Sequence, residues 1–139
     1  MSEKTLTMKL LKGKYGVCRL DKTDLIPEWA QNSDFISITR TLDELSIVCA
    51  EESIPGHVKC EKDWRILKIE GPLDFSLIGI LAKISTILSE KRISIFAVST
   101  YDTDYILVKN KDIDSAIAAL VNEGNEIMDY VNSDGFMEQ

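Results

Sequence analysis

Two short stretches of this chain hold residue types that could grip a zwitterion. One is Gly71-Pro72-Leu73-Asp74-Phe75, which runs directly into a predicted helix carrying Gly79 in its first turn. Unpaired N–H groups at a helix start, together with the dipole, favour a carboxylate there, and a glycine lets a ligand approach the backbone. The other is the turn at Tyr101, which offers hydroxyls on Thr100 and Thr103, an aromatic wall, and the anions Asp102 and Asp104. A group that takes a carboxylate beside one that takes an ammonium is what an α-amino acid needs. A plainer reading uses the same residues: Gly79 serves helix–sheet packing, and the aspartates only make the turn. Residue types and spacing by themselves favour the plainer one.

No catalytic constellation is visible elsewhere, so no enzyme activity is expected. The chain has no Gly-x-Ser-x-Gly, no Gly-rich phosphate loop, and no histidine beside a nucleophile. Its single histidine, His57, follows Pro55-Gly56 and reads as a surface loop residue. Carboxylates are plentiful, but they lie in charged stretches such as Glu51-Glu52 and Glu61-Lys62-Asp63, which are ordinary solvated faces. Cys18, Cys49 and Cys60 are widely spaced, with no Cys-x-x-Cys pair. A structural zinc site needs about four ligands in short-spaced pairs, so neither a metal nor a cofactor is expected. Cys18 and Cys49 each sit in an apolar run and read as buried, unreactive thiols.

The elements that must position the two stretches alternate in period. Residues 65–70 read as a strand that Gly71-Pro72 stops. From Leu77 the apolar positions Leu77, Ile80, Leu81, Ile84, Ile87 and Leu88 share one helical face, with Ser76 placed to cap it. Strands follow at 93–98 and 105–108, joined by the turn at 101–104. Asp112 opens a second helix with Ile113, Ala116, Ile117, Leu120 and Val121 on its buried side, and Gly124 closes it as a left-handed cap. A short strand over 126–131 completes β-α-β-β-α-β, a ferredoxin-like split βαβ.

The amino-terminal half is less regular. Residues 5–11 alternate, and Lys12-Gly13-Lys14 predicts a hairpin turn into a strand at 15–20. One or two helical turns fit around Pro27-Glu28-Trp29, and strands fit 35–39 and 45–50. Residues 53–62 read as a loop or a poor helix joining the halves. Laid over each other, residues 37–48 and 97–108 both read strand, polar turn, strand, with Glu44 or Asp104 just before the second strand. The halves therefore read as two copies of one fold, the first with its helices lost or shortened. The predicted modules are 1–62, degenerate, and 63–139. Each alone could bury only a marginal core, which gives them a physical reason to share a chain.

Composition sets the class of partner. The 139 residues carry 16 Lys+Arg against 23 Asp+Glu, a formal charge of −7. That acid excess speaks against nucleic acid and against an anionic membrane surface. With 45% apolar residues the chain can fold. No apolar stretch is long enough for a signal peptide or a bilayer span, so a cytoplasmic setting is expected.

At the loop, helix and turn the sequence resembles the ACT domain, a small ligand-binding regulatory module. Gly79-Ile80-Leu81-Ala82-Lys83-Ile84, continuing through Leu88 to Ile95, looks like the ACT pattern of loop glycine, amphipathic helix and strand. The stretches 70–79 and 99–105, with Leu11-Lys12-Gly13-Lys14-Tyr15 and Ile26-Pro27-Glu28-Trp29, look like short stand-alone bacterial proteins with tandem ACT modules. Those are related to the eukaryotic cytosolic arginine sensors of the CASTOR type. The resemblance covers nearly the whole chain. It implies an α+β fold of tandem ferredoxin-like βαββαβ modules, antiparallel sheets with helices on one face, and the first module degenerate. It also implies amino-acid ligands at module interfaces. By position the ligand would meet Leu73, Asp74, Phe75, Ser76, Leu77, Ile78 and Gly79 in the loop, and Thr100, Tyr101, Asp102 and Asp104 in the hairpin. In the sensors the hairpin acid contacts the cationic part of the ligand, and here that position is Asp104. One departure stands out: many ACT domains carry an acid three residues before the loop glycine, where this chain has Ser76.

The function expected is thus a non-catalytic, amino-acid-binding regulatory protein that works by conformational linkage, as a homodimer. The competing expectation is a protein–protein interaction module with no physiological ligand, pairing with an unknown protein partner through an exposed sheet edge.

Overall fold

The computed structural model describes residues 6–70, 79–131 and 137–138. In chain order the elements are β1 (Thr7–Leu10), β2 (Tyr15–Leu20), β3 (Ser37–Arg40), β4 (Leu45–Ala50), β5 (Cys60–Ile69), α1 (Ile80–Ser89), β6 (Ile95–Ser99), β7 (Asp104–Lys109), α2 (Ile113–Asn122), β8 (Glu126–Met128), β9 (Tyr130–Val131) and β10 (Met137–Glu138). The fold is mixed α+β. Two compact units divide the chain: Met1–Lys12 with Arg65–Gln139, and Gly13–Trp64. The long strand β5 contributes its last residues to the former and its first residues to the latter.

In the unit containing the two helices, β5, α1, β6, β7, α2 and β8 follow one another in the expected β-α-β-β-α-β order. The strands lie side by side as β6-β7-β5-β1-β8. The intruder is β1, which takes the place between the first and last strands of the motif. It runs antiparallel to β5, with Met8 opposite Ile69, and parallel to β8, with Met8 opposite Ile127. Residues 12–14 therefore do not form the expected hairpin: both edges of β1 are filled, by β5 and β8. Buried Asn125 holds the junction, its Oδ1 accepting from Leu6 N–H at 2.9 Å and its Nδ2 donating to Leu120 C=O at 3.0 Å. A buried amide satisfied on both ends is a strong positional lock.

Both helices cover one face of this sheet. Ile84 and Leu88 of α1, with Ile113, Ala116, Ile117 and Leu120 of α2, pack on Met8, Leu10, Leu67, Ile69, Ile106, Val108 and Ile127. Each fully buried aliphatic side chain contributes about 1.5–3 kcal/mol, so this layer dominates the unit's stability. Tyr130 extends it, its hydroxyl donating to Asp114 Oδ1 at 2.5 Å. Gly124 closes α2 at φ +96°, as the sequence predicts. At the end of α1, Arg92 takes φ +59° and Ile93 N–H still donates to Leu88 C=O. The next strand accordingly starts at Ile95 and not at Ile93. The predicted strand over 126–131 is broken at Asp129, whose φ of +61° ends β8; β9 pairs instead with β10.

In the other unit, β2 lies between β4 and the start of β5, and β3 pairs with β4. One face carries Cys18, Leu45, Ile47 and Cys49 under Ala30 and Ile54. The 3-10 turn Glu28–Gln31 brings in Ala30. Residues 60–62, expected as loop, are strand: Cys60 and Glu61 pair with Cys18 and Val17. Between them and Trp64 the ladder slips by one residue opposite Gly16, and Asp63 takes up the slack at φ +67°. A methyl group on Gly16 would lie 2.5 Å from Ile54 Cδ1 and 2.6 Å from Cys60 Sγ, so only glycine fits.

The two hairpins share one turn. Thr41 N–H donates to Glu44 C=O at 2.9 Å, and Thr100 N–H donates to Thr103 C=O at 2.8 Å. In each, the threonine hydroxyl also bridges the turn, 3.4 Å from Glu44 O and 3.1 Å from Thr103 O. Thr41 thus matches Thr100, a spacing of 100 − 41 = 59, where the sequence overlay used 97 − 37 = 60. Glu44 corresponds to Thr103, and Asp104 to Leu45.

Candidate ligand-binding site

The loop and the turn start from neighbouring points. Buried Thr103 donates its hydroxyl to Ile69 C=O at 2.6 Å, and Ile69 is the last residue of β5. The end of β5 therefore lies beside the β6–β7 turn. Glu70 N–H, the next donor along, is taken by Thr7 C=O of β1 at 2.8 Å.

Of the predicted site residues, Leu73, Asp74, Phe75, Ser76, Leu77 and Ile78 lie outside the described residues. Gly79 is the residue before the first turn of α1 and not a member of it: its C=O accepts from Lys83 N–H at 2.8 Å while its own φ is +79°. A Cβ there would meet nothing within 4 Å. Gly79 is required by backbone conformation, not by close approach of a neighbour. At the N-cap, Gly79 has no side chain with which to cap the helix.

The hairpin supplies the polar groups. Side chains alternate along β7, so Asp104 shares its face with Ile106 and Val108, the face that α1 and α2 cover. Ser99 stands opposite Asp104 and donates to its Oδ1 at 2.6 Å, which fixes the carboxylate and leaves Oδ2 for another donor. Tyr101 is 84% exposed, and Asp102 is exposed beside it. The hydroxyls read from the sequence as ligand contacts are committed internally: Thr100 to the turn, Thr103 to β5. Sequence reasoning missed Thr103 as an anchor, because no local pattern points to a carbonyl 34 residues earlier.

A separate open groove of about 800 Å³ runs between α1 and α2, lined by Lys83, Ile87, Lys91, Ser115, Ala118 and Asn122 among others. It contains none of the predicted site residues. Among the described residues no cluster of His, Cys, Asp and Glu is arranged to hold a metal ion. No described helix is long and apolar enough to cross a membrane.

The ACT domain family matches residues 59–122, and the model of an N-terminal domain matches residues 13–57. The structure is similar to that of protein Atu0741 from Agobacterium tumefaciens, 40% identical, with a TM-score of 0.86 over 91% of this chain and 94% of that one. The chain belongs to the same family as Atu0741 and carries an ACT domain. Its fold is also that of the regulatory subunit of aspartate kinase from Thermus thermophilus, at 10% identity and TM-score 0.58 over 84% of this chain and 97% of that one. Aspartate kinase from Clostridium acetobutylicum, described as an allosteric enzyme, matches at 14% identity and TM-score 0.64, over 88% of this chain but only 36% of the kinase. The ACT domain indicates a small-molecule regulatory role. No curated protein matches the chain.

Proposed function

We propose that the protein is a non-catalytic amino-acid sensor, binding its ligand between the loop at 70–79 and the β6–β7 turn. The observation that carries this reading is the Thr103–Ile69 bond, which brings the root of the loop to the turn that presents Asp104. Asp104 is the acceptor for a cationic group, held by Ser99. By the likeness to arginine sensors of the CASTOR type, that group is the cationic end of the ligand. The start of α1 supplies unpaired N–H groups for the carboxylate. A ligand held this way favours one arrangement of the protein by its differential affinity, and a second copy of the chain is the expected listener.

A thermal-shift series over the free amino acids tests it. Saturation at 100-fold above Kd stabilises by about 2.7 kcal/mol, which raises the melting temperature by several degrees. A flat response to every amino acid at millimolar concentration overturns the proposal.

The interaction-module reading has one observation of its own. Leu25 and Leu42 are almost fully exposed, and Ile38 of β3 is partly so. Pull-down with and without amino acids separates the two: capture indifferent to every metabolite favours this second reading.

A further inference from the structure

We propose that Cys18 and Cys60 form a reversible thiol–disulfide site, with hydroperoxides as the oxidant class. The strand register carries the argument. Cys18 of β2 stands directly opposite Cys60 of β5. The next pair along, Arg19 and Lys59, is joined by Arg19 N–H to Lys59 C=O at 3.0 Å. Hydrogen-bonded and non-hydrogen-bonded pairs alternate in an antiparallel ladder, so Cys18 and Cys60 are a non-hydrogen-bonded pair. Such pairs have Cα atoms about 4.5 Å apart, at the short end of the range that a disulfide spans. Cys60 packs against the buried cluster that contains Cys18, and Gly16 leaves the space that Cys60 Sγ occupies.

Cys49 shares that cluster with Cys18, but it stands opposite Gly16, on the diagonal. Diagonal positions are roughly 7–8 Å apart, beyond a disulfide's usual span. The register therefore selects one pair out of three. Access selects the order of events: Cys18 and Cys49 are buried, whereas Cys60 is partly open to solvent. Burial holds the Cys60 thiol up, so alkaline pH favours the step: the Cys60 thiolate attacks one peroxide oxygen and the O–O bond breaks, giving a sulfenic acid and hydroxide. Cys18 sulfur then attacks Cys60 sulfur, the S–O bond breaks and the S–S bond forms. In sum, two thiols lose two electrons and two protons, and one hydrogen peroxide becomes two waters. Cys60 is partly open to solvent, and exposed bridges are among the readily reduced ones, which makes the site reversible by ordinary thiols.

The test uses the full chain. Trypsin leaves each cysteine in its own peptide: residues 15–19, 41–59 and 60–62. After millimolar hydrogen peroxide and alkylation, the expected product is a 15–19 peptide linked to 60–62. Thiols titratable in denaturant fall from three to one per chain, and dithiothreitol restores all three. Cys49→Ser keeps the link, and Cys60→Ser, at the most exposed of the three sites, abolishes it. Three thiols persisting in peroxide, a Cys18–Cys49 link, bridges only between chains, or Cys60 oxidised to sulfinic acid without a link would each overturn the proposal.

Discussion

Thr103 and Ile69 are joined through a buried hydroxyl-to-carbonyl bond of 2.6 Å, so the tip of one hairpin is moored to the end of the strand beside it. Everything proposed for the ligand site hangs from that mooring. Without it the β6–β7 turn would lose its tie to the end of β5.

Thr103→Val keeps the shape and removes the donor. It is expected to lower stability by about 1 kcal/mol, read from urea midpoints, and to weaken any amino-acid-induced thermal shift by more than that loss explains. Thr103→Ser, which keeps the hydroxyl, should restore most of both. An unaltered ligand response in the valine variant would separate the turn from binding.

Asp104→Asn leaves Ser99 a carbonyl oxygen to donate to, so unfolding should change by less than about 0.5 kcal/mol. The thermal shift with arginine or lysine should drop by tenfold or more in apparent affinity, as expected for loss of a charge-assisted bond of about 1.5–3 kcal/mol. Retention of full affinity would remove Asp104 from the site.

Two glycines should answer differently to the same change. Gly16→Ala drives a methyl into Ile54 and Cys60 and should cost about 1–3 kcal/mol. Gly79→Ala meets no neighbour but must hold φ at +79°, for about 1–2 kcal/mol. Gly79→Asn should recover part of that loss, because asparagine tolerates the left-handed region; Gly16→Asn should recover none. Denaturant titration of the four variants checks the pattern.

Alkaline pH should weaken the unit that holds the thiols. Burial pushes the Cys60 thiol up, outweighing the opposing effects of Cys18 and Lys62. Cys18 is pushed up by its neighbour Cys49 and then by burial, but the same interaction pushes Cys49 down, so Cys60 and the burial of the thiols carry the net effect. A raised folded-state value means the unfolded chain loses its proton first. The stabilising contribution is complete below the unfolded thiol range, about 8.5, and is lost as pH rises through it toward the folded value. Urea midpoints under reducing conditions should therefore fall between pH 8 and 10, and less steeply in Cys60→Ser.

Local pattern made some of this legible in the sequence and left the rest hidden. The spacing of Ile80, Ile84 and Leu88, and of Ile113, Ile117 and Leu120, located both helices because each buries one stripe on one sheet. Alternation identified β1 as a strand but not its neighbours, since its parallel partner β8 lies 119 residues away. Cys60 to Lys62 looked like loop because Glu61 and Lys62 are charged and exposed beside a bulge. Asp129 gives no local sign that it will take a positive φ. At the site, Asp104 could be read from the turn, but the work of Thr103 could not, because its partner is the carbonyl of a residue 34 positions earlier.

The intrusion of β1 has a consequence for anyone cutting this gene. Residues 13–64 are an excursion in the middle of a unit that begins before them and ends after them. A fragment starting at residue 65 would lack its penultimate strand, leaving β5 and β8 separated by an empty lane and Asn125 without its Leu6 donor. Rejoining the two flanks directly across the excursion, or permuting the ends so that residues 6–12 follow 138, would preserve that lane where simple truncation destroys it.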